Sequence, residues 1–85
     1  MPKFSGVTII ELVNALELST HAGIDDFGMR FDIEQCIEGG GVEPKLVSIK
    51  RFLKDNPESR GPLGAPLFQE VFEYYLDRKF GWYRR

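Results

Sequence analysis

Eighty-five residues suffice for one domain and not for two, and a chain this short hides only about 60–65 % of the surface its unfolded form exposes. A composition of 42 % apolar and 28 % charged residues is that of an ordinary folded domain, which excludes intrinsic disorder. A pI near 5.3 argues against a dedicated nucleic-acid-binding domain, and no apolar run approaches the ~20 residues of a membrane-spanning helix.

The net charge of −2 conceals an asymmetry. Residues 1–43 hold eight acids and two bases, a net of −6, whereas residues 44–85 hold five acids and nine bases, a net of +4. Such a division suits steering between complementary surfaces, within one molecule or between copies. The single cysteine, Cys36, cannot form an internal disulfide and points to a reducing compartment. The start, Met1-Pro2-Lys3-Phe4, lacks the apolar core of a signal peptide. A cytoplasmic, non-membrane protein is expected.

In chain order, Thr8-Ile9-Ile10-Glu11 fits a capping box, and Ile9, Leu12, Val13 and Leu16 recur at helical spacing over about 8–18. Ser19 to Gly23 breaks the pattern. Asp25 and Asp26 suit the positive start of a second helix. Residues 24–37 read in two ways: Met29, Phe31 and Ile33 alternate as in a strand, while Met29, Ile33, Cys36 and Ile37 fit a helical face. Two short helices broken near Phe31-Asp32 are preferred, because no partner strand is evident.

Gly39-Gly40-Gly41 precedes a basic helix, as in phosphate-binding loops. Yet no GK[ST] follows, Pro44 precedes Lys45, and Glu38 and Glu43 would repel a phosphate. The glycines read as a helix stop and a turn, with Pro44 in the first turn of the next helix. Leu46, Ile49, Phe52 and Leu53 form its buried stripe, and Asp55-Asn56-Pro57 stops it. "PESRGPLGAP", residues 57–66, is a loop in which Leu63 is expected to pin the chain to the core. Pro66 opens a last helix with Phe68, Val71, Phe72, Tyr75 and Leu76 on one face. Gly81 ends it, leaving residues 81–85 as a tail or the start of a longer chain.

No catalytic constellation emerges. His21, the only histidine, lies near Asp25 and Asp26 without a nucleophile or oxyanion signature, and reads as a loop histidine at a helix end. One cysteine and one histidine exclude the usual structural zinc site within one chain. Cys36 has no cationic neighbour in sequence to activate it and reads as core. No cofactor and no metal are expected. Basic residues interleaved with aromatics near the C-terminus, Arg78 to Arg85, together with Lys45, Lys50, Arg51 and Lys54, keep single-stranded nucleic acid open as a lesser partner.

The segment Phe27-Gly28-Met29-Arg30-Phe31-Asp32-Ile33, followed by "EQCIEGGGVEPKLVSIKRFLKDNPE", resembles the bacterial effector-associated domains, which are death-fold-like adaptor modules. The likeness covers about residues 8–56. The 57–66 loop and the aromatic-basic end depart from it. It implies an all-α, compact, death-fold-like bundle of five or six short helices. The implied function is protein–protein association, homotypic or heterotypic, that recruits an effector in a bacterial conflict or antiphage system.

The residues expected to carry association are Asp25, Asp26, Glu34 and Glu38 on an acidic surface and Lys45, Lys50, Arg51 and Lys54 on a basic one. An acidic face of one copy meeting a basic face of the next gives head-to-tail contacts. The other classes in contention are a small nucleic-acid-binding protein and a phage or mobile-element inhibitor of a host protein.

Overall fold

The computed structural model describes residues 6–81, with elements in the order α1 (Gly6–Ala15), α2 (His21–Arg30), a single 3-10 turn η1 (Glu34–Cys36), α3 (Val42–Asp55) and α4 (Leu67–Phe80). Among the described residues the fold is all-helical, with four α-helices and one 3-10 turn where five or six helices were expected. The shortfall arises after Asp32, where the chain makes one tight turn instead of another α-helix. The expected tail, Trp82 to Arg85, lies outside the described residues.

The apolar stripe of the first helix behaves as its spacing predicts: Ile9, Leu12, Val13 and Leu16 are all buried. Its start differs. The helix begins at Gly6, so Thr8 lies within the first turn instead of capping it, a shift that spacing alone does not resolve. After Ala15, Glu17 takes a left-handed conformation (φ 55°). That turn lets both Leu16 and Leu18 bury their side chains.

The second helix starts earlier than the acids suggested. Thr20 is its N-cap, and the Thr20 hydroxyl accepts the Gly23 amide at 3.0 Å, satisfying one of the free donors of a helix start. Asp25 and Asp26 therefore sit mid-helix. The break near Phe31-Asp32 is present: Phe31 caps the helix, Asp32 adopts φ 59°, and η1 follows. No strand forms in this region among the described residues.

α3 carries Leu46, Ile49 and Leu53 into the core, with Phe52 half-buried, and ends at Asp55 with Asn56 as its cap. Gly41 is its N-cap and Pro44 lies in the first turn, where a missing amide proton costs nothing. α4 ends at Gly81, whose φ of 64° makes a left-handed cap. Its inward face differs from the expected one. Leu67, Glu70 and Val71 are buried, whereas Phe72 is 44 % exposed.

Each α-helix sends at least one fully buried side chain to the centre: Val13, Ile24 and Phe27, Ile49, and Val71. α3 packs on α1, α2 and η1, and α4 packs on α1. Phe27, Phe31 and Tyr74 form a ring cluster with centroids 5.0–6.1 Å apart, which ties α2 to α4 by tilted and edge contacts of the favoured kind.

Candidate interaction surfaces

The three glycines form a closed corner. Gly39 has φ 122°, and a Cβ there would collide with the Pro44 ring, so the chain needs glycine at this point. The Ser48 hydroxyl accepts the Glu38 amide at 3.1 Å and donates to the Lys45 carbonyl at 2.6 Å. Ser48 thus staples the corner to α3. Glu38 and Glu43 are exposed beside the corner, and two carboxylates there disfavour an anion.

The basic residues of α3 divide into two groups. Lys45 is half-buried, and its Nζ lies 3.1 Å from His21 Nδ1 across the α2–α3 junction. The nearest partner of His21 is therefore a lysine rather than Asp25 or Asp26. Lys50, Arg51 and Lys54 instead line a groove of about 440 Å³ between α1 and α3, together with Ile10, Val47 and Asp55. Ile10 is 45 % and Val47 44 % exposed, so the groove combines exposed apolar side chains with three bases.

The acidic residues are spread more widely. Asp25, Asp26, Glu34 and Glu38 are all exposed, the first two on α2, the third opening η1 and the fourth after it. Glu38 and Arg51 line one depression, beside Cys36 and Phe52. The acidic and basic halves of the chain therefore abut around η1 and α3. Among the described residues, no group of three or more His, Cys, Asp or Glu side chains is placed to hold a metal ion. No helix among them is long and apolar enough to cross a membrane.

The 57–66 loop holds what the sequence pattern missed. Its Leu63 side chain does not reach the core; it is 86 % exposed. The loop is fastened by Glu70, which is 4 % exposed and whose carboxylate accepts the amides of Leu63 (3.2 and 3.1 Å) and Ala65 (2.9 Å). Further bonds close the loop at its root: Leu67 N to Ser59 O at 2.7 Å, Gly61 N to Ala65 O at 2.8 Å, and Arg60 Nη1 to Gly64 O at 2.9 Å. Pro62 and Leu63 are the central residues of a turn closed by Gly64 N to Gly61 O at 3.0 Å.

Gly61 lies so close to Glu70 that any Cβ would overlap the carboxylate. Next to the turn, a depression of about 420 Å³ is lined by Leu63, Phe31, Tyr74, Arg30, Glu70, Glu73 and Asp77. Arg30 and Arg78 place their guanidinium carbons 4.8 and 5.6 Å from the Tyr74 ring centre, a cation–π arrangement that steadies this wall. A third groove, between α1 and α4, is lined by Leu12, Phe68, Phe72 and Tyr75, with Glu11 as its charged group.

No protein-family model matches the chain, and no curated protein or solved structure matches it significantly.

Proposed function

We propose that the chain is a non-enzymatic protein–protein interaction module that docks partners through the α1–α3 groove. The observation that supports it is the pairing of exposed Ile10 and Val47 with Lys50, Arg51 and Lys54 around one groove. Exposed apolar groups beside charged ones are the make-up of a protein interface, the apolar part supplying affinity and the charges selectivity. The adaptor role in a bacterial conflict or antiphage system, the death-fold-like helix arrangement and the cytoplasmic setting are parts of this proposal that rest on the resemblance and the composition.

Light scattering across salt concentrations, with binding assays against co-encoded proteins, tests it. Association that weakens with salt and is lost in Val47→Glu is the expected result, since such charges are screened. A strict monomer at every salt that binds no co-encoded protein overturns it. Nucleic acid is the second reading, favoured by the convergence of Lys50, Arg51 and Lys54 on one groove. A mobility-shift assay separates the two, because phosphate contacts weaken steeply with salt for any sequence.

A further inference from the structure

The outward side of α3 carries an acid, an apolar residue and a base at equal intervals. Glu43, Val47 and Arg51 are all exposed and follow one another in steps of four residues, which sets them in one row along the helix. Among the described residues, neither the Glu43 nor the Arg51 side chain makes a hydrogen bond or ion pair. Pro44 is exposed beside this row and Lys50 is half-buried.

Such a row complements itself when two copies meet antiparallel. With Val47 against Val47 of the second copy, Glu43 of each copy faces Arg51 of the other. Pro44 faces Lys50, whose methylene stem can cover the proline ring. The two Arg51 side chains stand about 12 Å apart along the helix at 1.5 Å per residue, beyond the Debye length of about 8 Å at physiological salt. Other pairings set like charges together. A parallel one puts Glu43 on Glu43 and Arg51 on Arg51. An antiparallel one centred on Ile49 puts Glu43 against Asp55, and one centred on Arg51 opposes two guanidinium groups. In the favoured pairing Lys54 and Asp55 fall level with the glycine corner of the second copy, where Glu38 meets one charge of each sign. Glu38, Glu43 and Asp55 balance Lys50, Arg51 and Lys54, so the surface as a whole does not repel its own copy.

We infer that a second copy of this chain covers the outward face of α3, as a two-fold dimer with Val47 on the axis and a Glu43–Arg51 pair on either side. Ile10, which lines the same groove as Val47 and is 45 % exposed, adds an apolar side chain from each copy. This rests on the docking role proposed for the α1–α3 groove and names its partner. The same surface is used twice, so the contact is isologous and closes at two copies. A single helix pair belongs with interfaces below about 1,200 Å², so the dimer is weak and populated at high protein concentration.

The test is sedimentation equilibrium of the full chain and of two charge reversals, Glu43→Arg and Arg51→Glu. Both sites are exposed, and thermal melts matching the native chain establish that each variant folds. The native chain at low ionic strength should rise with concentration from 9.7 kDa towards twice that mass and no further, and fall back on adding salt. Each reversal alone puts two like-charge pairs into the contact and should weaken association by about tenfold or more. Mixed together, the two variants restore opposite charges at both pairs and should form a mixed dimer. The chain carrying both reversals should dimerise by itself.

The inference is overturned if the native chain stays monomeric at every concentration and salt, or if its mass grows beyond two copies. It is equally overturned if either single reversal dimerises as the native chain does, or if the mixture or the doubly reversed chain stays monomeric. A monomeric native chain whose binding to a co-encoded protein is lost in Val47→Glu overturns this inference and leaves the docking role standing. A folded Val47→Glu variant that alters no binding overturns both.

Discussion

The amide of Leu63 donates to both carboxylate oxygens of Glu70, at 3.2 and 3.1 Å, while the side chain of the same leucine points away and is 86 % exposed. A buried acid thus does what an apolar side chain was expected to do, and holds the long loop to the bundle. Glu70 also lies in the first turn of α4, where the helix dipole favours a negative charge.

Removing that carboxylate should free the loop. Glu70→Ala leaves the Leu63 and Ala65 amides without their acceptor and opens a void, and should cost about 2–3 kcal/mol. For a domain of this size that lowers Tm by roughly 10–20 °C. Leu63→Ala, by contrast, should change stability by less than about 0.5 kcal/mol. Urea unfolding of the two variants checks the difference, and hydrogen exchange at the 63 and 65 amides should accelerate only in Glu70→Ala.

Gly61 should prove intolerant of any side chain. Gly61→Ala pushes a methyl into the Glu70 carboxylate, and overpacking of this kind costs about 1–3 kcal/mol. The same substitution in a Glu70→Ala background should cost less, because the obstruction is gone. A double-mutant cycle measures the coupling, which two neighbouring groups should show at about 0.5 kcal/mol or more.

The start of α2 rests on Thr20 and not on the aspartates. Thr20→Ala removes the acceptor for the Gly23 amide and should destabilise by about 1 kcal/mol. Asp25→Ala and Asp26→Ala, at exposed mid-helix positions, should stay within about 0.5 kcal/mol of the native chain. Chemical denaturation of the three variants is the measurement.

Phe27 is the largest fully buried side chain, with the rings of Phe31 and Tyr74 at 5.0 and 6.1 Å. Phe27→Ala should cost about 3–5 kcal/mol. Against a total of only about 5–15 kcal/mol for native domains, a small one should be largely unfolded at 37 °C. Far-ultraviolet circular dichroism on warming reads this directly. Phe72→Ala, at a site 44 % exposed with Tyr75 as its ring neighbour, should cost much less than Phe27→Ala.

Much of the helical frame was legible in the residues. The stripes Ile9-Leu12-Val13-Leu16 and Leu46-Ile49-Leu53 recur at a period that only a helix turns to one side. Asn56-Pro57 and Gly81 stop helices for local steric reasons, and the break at Phe31-Asp32 follows from the loss of a consistent period. α4 was harder, because apolar residues at 67, 68, 71, 72, 75 and 76 encircle more than one face. Packing against α1 and the Phe27–Phe31 pair selected Leu67, Val71 and Tyr74.

The site was less legible than the frame. Lys50, Arg51 and Lys54 converge as helical spacing allows, whereas Lys45 turns to His21, twenty-four positions away along the chain. Ile10 and Val47 carried one signal, that each lies just off its helix's buried stripe. Glu38 and Arg51 share a depression although the chain's charges segregate by half, because η1 folds the acidic half back onto α3.

By itself the sequence determined the helical class, the two regular stripes, the stops and the absence of a phosphate-loop pattern. These depend on contacts within a few residues, where spacing and side-chain chemistry suffice. Only the tertiary structure decided which residue fastens the 57–66 loop, which apolar groups stay outside, and which charges meet. Each of these is a contest between alternatives of similar local energy. Glu70 prevails over Leu63 because a carboxylate in the first turn of α4 can satisfy several main-chain amides at once, and no leucine can.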